Sequence, residues 1–277
     1  MLCIKRGVIM VSMNNNVNSS ANHVVTFAHF KGGTGKTTSC LNIAGFLAKY
    51  GAKVLVIDLD PQANLTQSLG VDVETLGKSM YDVMAHKKNI KDIVISTKIP
   101  QLDLAPATPY LMHTTLKKYE SKKDALILKT AIKNIKDDYQ FTLIDLPPSN
   151  GHFIVNGVMA SDSVIVVLDT SVYALNGLET FRTAFDSYCD KIGIDLNIAM
   201  ALVTKCKKHF NPFKKNIGKE IGKSTKSILG TSVFLVPYSD HVYESQIKQI
   251  PISHHKPGSD IGAAYMRIAE EIVSLRN

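Results

Sequence analysis

His29-Phe30-Lys31-Gly32-Gly33-Thr34-Gly35-Lys36-Thr37-Thr38 is the stretch on which the fold of this 277-residue chain turns. The β-branched run Val24-Val25-Thr26-Phe27 precedes it, and apolar Cys40, Ile43, Ala44, Leu47 and Ala48 follow at helical spacing. A glycine-rich turn between a strand and a helix curls tightly enough to point several N–H groups inward, and the helix adds the positive end of its dipole. Residues 31–38 therefore predict a phosphate cradle, in which Lys36 reaches the β- and γ-phosphates and the Thr37 hydroxyl ligates Mg²⁺. The loop departs from the G-x-x-x-x-G-K-[ST] pattern: Phe30 stands where the first glycine belongs, and Lys31 is an additional cation. The competing reading, a glycine turn beside a solvated lysine, is disfavoured by the strand and helix on either side.

Two further strands end in carboxylates. Val54-Leu55-Val56-Ile57-Asp58-Leu59-Asp60 has the continuous apolar centre of a strand buried on both faces of a parallel sheet. Its carboxyl end belongs in the crevice where α/β proteins bind ligands, so Asp58 and Asp60 are expected to face the nucleotide. The alternative for Asp60-Pro61 is a turn that caps the next helix. Phe141-Thr142-Leu143-Ile144-Asp145 delivers one carboxylate to the same end, suited to holding Mg²⁺ or orienting the attacking water, and a strand-end cap is its alternative. The stiff Pro147-Pro148 pair then opens a loop beside the γ-phosphate. With apolar runs at 163–168, 196–203 and 232–237, the expected architecture is a single α/β domain over residues 23–277, a P-loop NTPase. Its sheet is mostly parallel and twisted, with helices on both faces. Residues 1–22 read as a flexible leader, and 70–100 receive no chemical role.

At 45% hydrophobic residues the chain can build a sizeable core, yet no apolar run approaches the roughly 18 residues of a membrane span. Cys3, Cys40, Cys189 and Cys206 form no Cys-x-x-Cys pair, which argues against a zinc ribbon, an Fe–S site or a disulfide framework and for a reduced, cytoplasmic setting. His254-His255, lacking further spaced ligands, reads as an exposed pair in a loop over 251–258. The net charge of +8 points to an anionic partner. Much of it lies in Lys205, Lys207, Lys208, Lys214, Lys215, Lys219, Lys223 and Lys226, against Glu220 alone. Lys215, Lys219, Lys223 and Lys226 share one helix face, while Phe213, Ile217, Ile221 and Ile228 recur on another and are expected to anchor it. Neighbouring like charges repel, a cost that a phosphate backbone offsets. These lysines, with Lys248, are the expected contacts for double-stranded DNA bound without sequence preference, the alternative being a solvated face.

Three motifs in order, residues 31–38, then Asp58-Leu59-Asp60-Pro61-Gln62-Ala63-Asn64, then Asp145-Leu146-Pro147-Pro148-Ser149, closely resemble the ParA family of DNA-partitioning ATPases. These belong to the P-loop ATPases with a deviant Walker A loop, which also include the MinD proteins. The resemblance covers about residues 24–276 and implies a short form without the N-terminal DNA-reading domain. It implies ATP and Mg²⁺ as cofactors and slow, partner-stimulated hydrolysis. By it, Lys31 is the signature lysine that contacts the partner subunit's nucleotide in an ATP-bound homodimer. Lys36 and Thr37 hold phosphate and Mg²⁺, Asp60 positions the hydrolytic water near the metal, and Asp145 is the Walker B carboxylate. The implied partners are non-specific DNA and a ParB-like centromere-binding protein; the implied setting is cytoplasmic and nucleoid-associated, with a chromosome or plasmid as cargo. The alternative is a MinD-like ATPase that positions a membrane or protein cargo. The ending Glu270-Glu271-Ile272-Val273-Ser274-Leu275-Arg276-Asn277 is not a cationic amphipath, so no stable membrane anchor is expected.

Overall fold

In a computed structural model, residues 22–115, 123–148, 151–171, 173–207 and 216–276 are described. The expected leader lies outside them apart from Asn22, as do Ser149, Lys208, Phe213, Lys214 and Lys215. The first half of the chain runs through β1 (His23–Ala28), α1 (Lys36–Lys49), β2 (Val54–Asp58), α2 (Asn64–Ser68), α3 (Met80–His86), β3 (Ile95–Ser96) and β4 (Leu102–Ala105). It continues with α4 (Met112–Thr115), α5 (Ile127–Lys133), β5 (Phe141–Asp145), α6 (His152–Ala160) and β6 (Ser163–Leu168). The remainder comprises α7 (Ala174–Ile192), β7 (Ile198–Cys206), α8 (Ile217–Leu229), β8 (Ser232–Pro237), α9 (His241–Ile247), α10 (Ile252–His255) and α11 (Asp260–Leu275).

Among the described residues the strands form one eight-stranded sheet in the order β3-β4-β2-β5-β1-β6-β7-β8. Every neighbouring pair is parallel except β3 with β4, an antiparallel edge. Alternation of side chains divides the core. Val24, Leu55, Ile144 and Val166 point to one face, where α3, α5, α6, α7 and α8 pack. Phe27, Val56, Leu143 and Val167 point to the other, covered by α1, α10 and α11. Because the inner strands are sandwiched on both faces, they read as unbroken apolar runs.

Three expectations need correction. The loop expected over 251–258 contains α10, and Ile252, its first residue, is fully buried. Nor is His255 exposed: its side chain is 7% accessible and its Nε2 lies 2.8 Å from Glu244 Oε2. Finally, Ile217 does not anchor α8 but is 50% exposed. Asn216 caps the helix by accepting the Lys219 N–H, so Ile217 falls at its first turn, and Gly218, Ile221, Gly222, Thr225 and Leu229 make the buried strip. Two glycines in that strip permit close approach, since a Cβ at Gly218 would stand 2.8 Å from Cys206 Sγ and one at Gly222 3.0 Å from Leu235 Cδ2.

Candidate functional site

Register places the site. Asp145 of β5 lies beside Phe27 of β1 and Asp58 of β2, so three carboxyl ends finish level. From there the glycine-rich loop leaves β1 and enters α1. Gly33 (φ 72°) and Gly35 (φ 94°) hold left-handed backbone, and Gly35 immediately precedes the helix. The end of β7 braces the loop: Thr204 Oγ1 donates to the Thr34 carbonyl at 2.6 Å, and Lys205 Nζ to the Gly33 carbonyl at 2.7 Å. Lys205, read from sequence with the DNA-contacting lysines, thus stands at the loop, with φ 57°. Thr204 was not singled out from sequence. Its only signal was its place just past an apolar run, and which loop that strand end would meet depends on sheet order.

Lys36 is 6% exposed, and its Nζ donates to the Lys31 carbonyl at 3.1 Å. Burial lowers its pKa, while Asp145 and Asp60 act in the opposite direction. Thr37 Oγ1 donates to Asp145 Oδ2 at 2.6 Å. The Asp145 carboxyl is wholly buried, and burial, then the charge of Asp58, push its pKa well up against the pull of Thr37 and Lys36. Among the described residues its second oxygen, Oδ1, has no hydrogen-bond partner. A buried carboxylate with an unpaired oxygen beside a threonine hydroxyl fits the oxygen-donor preference of Mg²⁺.

Asp60 and Asp58 part company. Asp60 lines the cleft, its Oδ1 accepting the Gln62 N–H at 2.9 Å. Asp58, expected to face the nucleotide as well, turns instead toward α2. It accepts from Thr66 N at 2.9 Å and Thr66 Oγ1 at 2.8 Å, and from Asp60 N at 3.1 Å. A fully buried carboxylate must be satisfied, and Asp58 meets that need as the bracket holding the turn that presents Asp60. Lys31 is held in a cluster also missed in sequence: Nζ lies 3.1 Å from both Asp169 oxygens and 2.6 Å from Ser171 Oγ. Burial alone would raise the Asp169 pKa; the hydrogen bonds from Ser171 and Lys31 outweigh it and lower it.

The cleft above the loop measures about 780 Å³, and its lining includes Lys36, Thr37, Asp60 and Lys205 as well as Gln246 and Gln249 from the α9 region. Of the other basic residues, Lys219, Lys223 and Lys226 are exposed on α8, Lys207 is exposed after β7, and Lys248 is exposed at the end of α9. They are thus spread over separate elements, with α8 carrying three on its outer side. No described helix is long and apolar enough to cross a membrane.

Residues 22–198 match AAA_31, an AAA domain. The chain is 31% identical over 252 residues to the chromosome-partitioning ATPase Soj of Treponema pallidum, covering 90% of this chain and 96% of that protein. It is 28% identical over 253 residues to the sporulation initiation inhibitor protein Soj of Bacillus subtilis, covering 91% and 98%. Its fold superposes on that of a Cyanothece McdA variant in complex with ATP at a TM-score of 0.83, with 22% identity over 92% of this chain and 98% of the other.

Proposed function

Because the chain belongs to the ParA/MinD family of P-loop ATPases, we propose that it is a DNA-partitioning ATPase that dimerises on ATP and moves a chromosome or plasmid. The observation that carries the reading is that Lys36, Thr37 and Asp60 line one open cleft, with buried Asp145 bonded to Thr37 directly behind it. Lys36 holds the β- and γ-phosphates by charge, and the loop N–H groups with the start of α1 hold their oxygens. Thr37 and Asp145 would hold Mg²⁺, which would supply charge neutralisation on the phosphates. Asp60, presented by the Asp58 bracket, orients the attacking water. Lys31 leaves Asp169 to reach the partner subunit's nucleotide, so that the site is complete only in the dimer. The lysines of α8, with Lys207 and Lys248, contact duplex phosphates, and a ParB-like protein stimulates hydrolysis and releases the complex.

DNA binding by the purified protein tests this, with ATP, ADP or no nucleotide, on a random duplex over a salt series, for the wild type, Lys31→Ala and Lys36→Ala. Salt-sensitive binding that requires ATP and is lost in both variants supports the proposal. Binding that is absent or indifferent to nucleotide while ATP is still hydrolysed overturns it, and favours an ATPase that positions a membrane or protein cargo.

A further inference from the structure

His241 and Glu244 lie one turn apart on α9, and His255 reaches them from α10. Nδ1 of His241 stands 3.1 Å and Nε2 of His255 2.8 Å from the same carboxylate oxygen, Glu244 Oε2. The three candidate ligand atoms all lie within 4.8 Å of one another, and the two rings meet nearly edge to face at 81°. Two imidazole nitrogens aimed at one carboxylate oxygen can exchange their bridging hydrogens for a single cation. We propose that His241, Glu244 and His255 form a binding site for a transition-metal dication of the zinc class that clamps α9 to α10.

The donor set decides the class of ion. Two imidazoles and a carboxylate suit Zn²⁺, whereas Mg²⁺ prefers oxygens throughout and does not compete for the site. Tetrahedral bonds of about 2.0–2.1 Å separate donors by roughly 3.3 Å, so the two spacings to Glu244 open by a few tenths of an ångström to admit the ion, and the two imidazole nitrogens, within 4.8 Å of each other, adjust toward the same separation. His255, 7% exposed, is held in place, while His241 and Glu244, at 38% and 45%, leave the fourth position to water. The site also touches the nucleotide cleft mechanically. Helix α9 supplies Ser245 and Gln246 to the cleft wall, and α10 is tied to α1 where Ile252 N–H donates to Asn42 Oδ1 at 2.6 Å. Zinc bound there would stiffen that wall.

The test is zinc binding by the chelator-stripped full-length protein in excess Mg²⁺, in competition with a chromophoric chelator. It compares the wild type with Glu244→Gln, His241→Ala and the neighbouring His254→Ala. One zinc per chain is expected in the wild type, unchanged in His254→Ala. The two ligand variants bind at least about tenfold more weakly, the loss that even an outer partner of a metal ligand brings. Both altered ligands are well exposed, so circular dichroism matching the wild type is expected, and Co²⁺ should give the absorption of a four-coordinate site. Failure of the wild type to hold zinc against the chelator overturns the proposal. So does equal zinc binding by Glu244→Gln and His241→Ala, which leaves the triad as a hydrogen-bonded staple. Neither readout depends on ATP turnover.

Discussion

Asp145 and His29 are buried groups whose charge the fold resists, and both lend themselves to pH experiments. For Asp145 the folded pKa is raised, so above the unfolded value the folded protein binds more protons, and stability falls as pH rises through the shifted pKa. Asp145→Asn removes that charge. Thermal denaturation of the nucleotide-free variant at pH 8 should show stability equal to or above the wild type by on the order of 1 kcal/mol, with Mg²⁺-dependent ATP turnover lost. A variant markedly less stable at pH 8 would contradict this. His29 is shifted oppositely, to about 4, first by burial and then by Lys36. The unfolded chain therefore takes up a proton that the folded one refuses, and stability is lost as pH falls from about 6.5 to about 4, by about 3 kcal/mol at most. His29→Gln should lose less stability than the wild type between pH 6.5 and 4.5 in urea titrations; identical losses would assign the acid sensitivity elsewhere. At this scale the glycine-rich turn into α1 and both strand-end aspartates were legible, because glycines and terminal carboxylates are local signals. The split between Asp58 and Asp60 was not, because it depends on Thr66, eight residues beyond Asp58.

Among the elements, β7 and α1 carry the site through contacts invisible in their own sequences. Thr204 Oγ1 donates to the Thr34 carbonyl at 2.6 Å and lies 3.3 Å from that of Leu168, so Thr204→Val removes the tie between the end of β7 and the loop. The expected cost is about 1–3 kcal/mol in urea unfolding, with weaker nucleotide binding; an unchanged midpoint would show that the brace is dispensable. Helix α1 meets α10 at Gly45, where a Cβ would lie 2.5 Å from Ser253 Oγ and 2.6 Å from Pro251 Cγ. Gly45→Ala should therefore destabilise by about 1–3 kcal/mol despite alanine's higher helix propensity, since overpacking outweighs the backbone gain; a stabilised variant refutes that packing. The types of α1, β2, β5, β6, β7 and β8 followed from apolar patterning, whereas those of α6 and two-residue β3 did not. Short α10 did not, because four residues are too few to show a helical period and Pro251 with Pro257-Gly258 reads as a turn.

For the whole molecule, charge and topology govern the outcome. The net charge of +8 lies partly on the outer side of α8, and the duplex affinity proposed for it would follow counterion release. Replacing Lys219, Lys223 and Lys226 together by alanine should reduce the slope of log affinity against log salt by roughly 2–3, at about 0.9 per phosphate contact. Lys205→Ala, which unlatches Gly33, should weaken ATP binding before it alters that slope; an equal slope in the triple variant would remove α8 from the contact surface. The class of fold and the glycine-rich turn could be read directly from the chain, because a parallel sheet buried on both faces writes continuous apolar runs and a tight left-handed turn writes glycines. The partners of each group could not. Sheet order β2-β5-β1-β6-β7 brings Thr37 to Asp145, Lys31 to Asp169 and Thr204 to Thr34 across separations of 108, 138 and 170 residues. The convergence of His241 and Glu244 with His255 likewise exists only once α9 and α10 pack together. Periodicity reports which side of an element is buried; what lies against it is settled when the strands choose their neighbours.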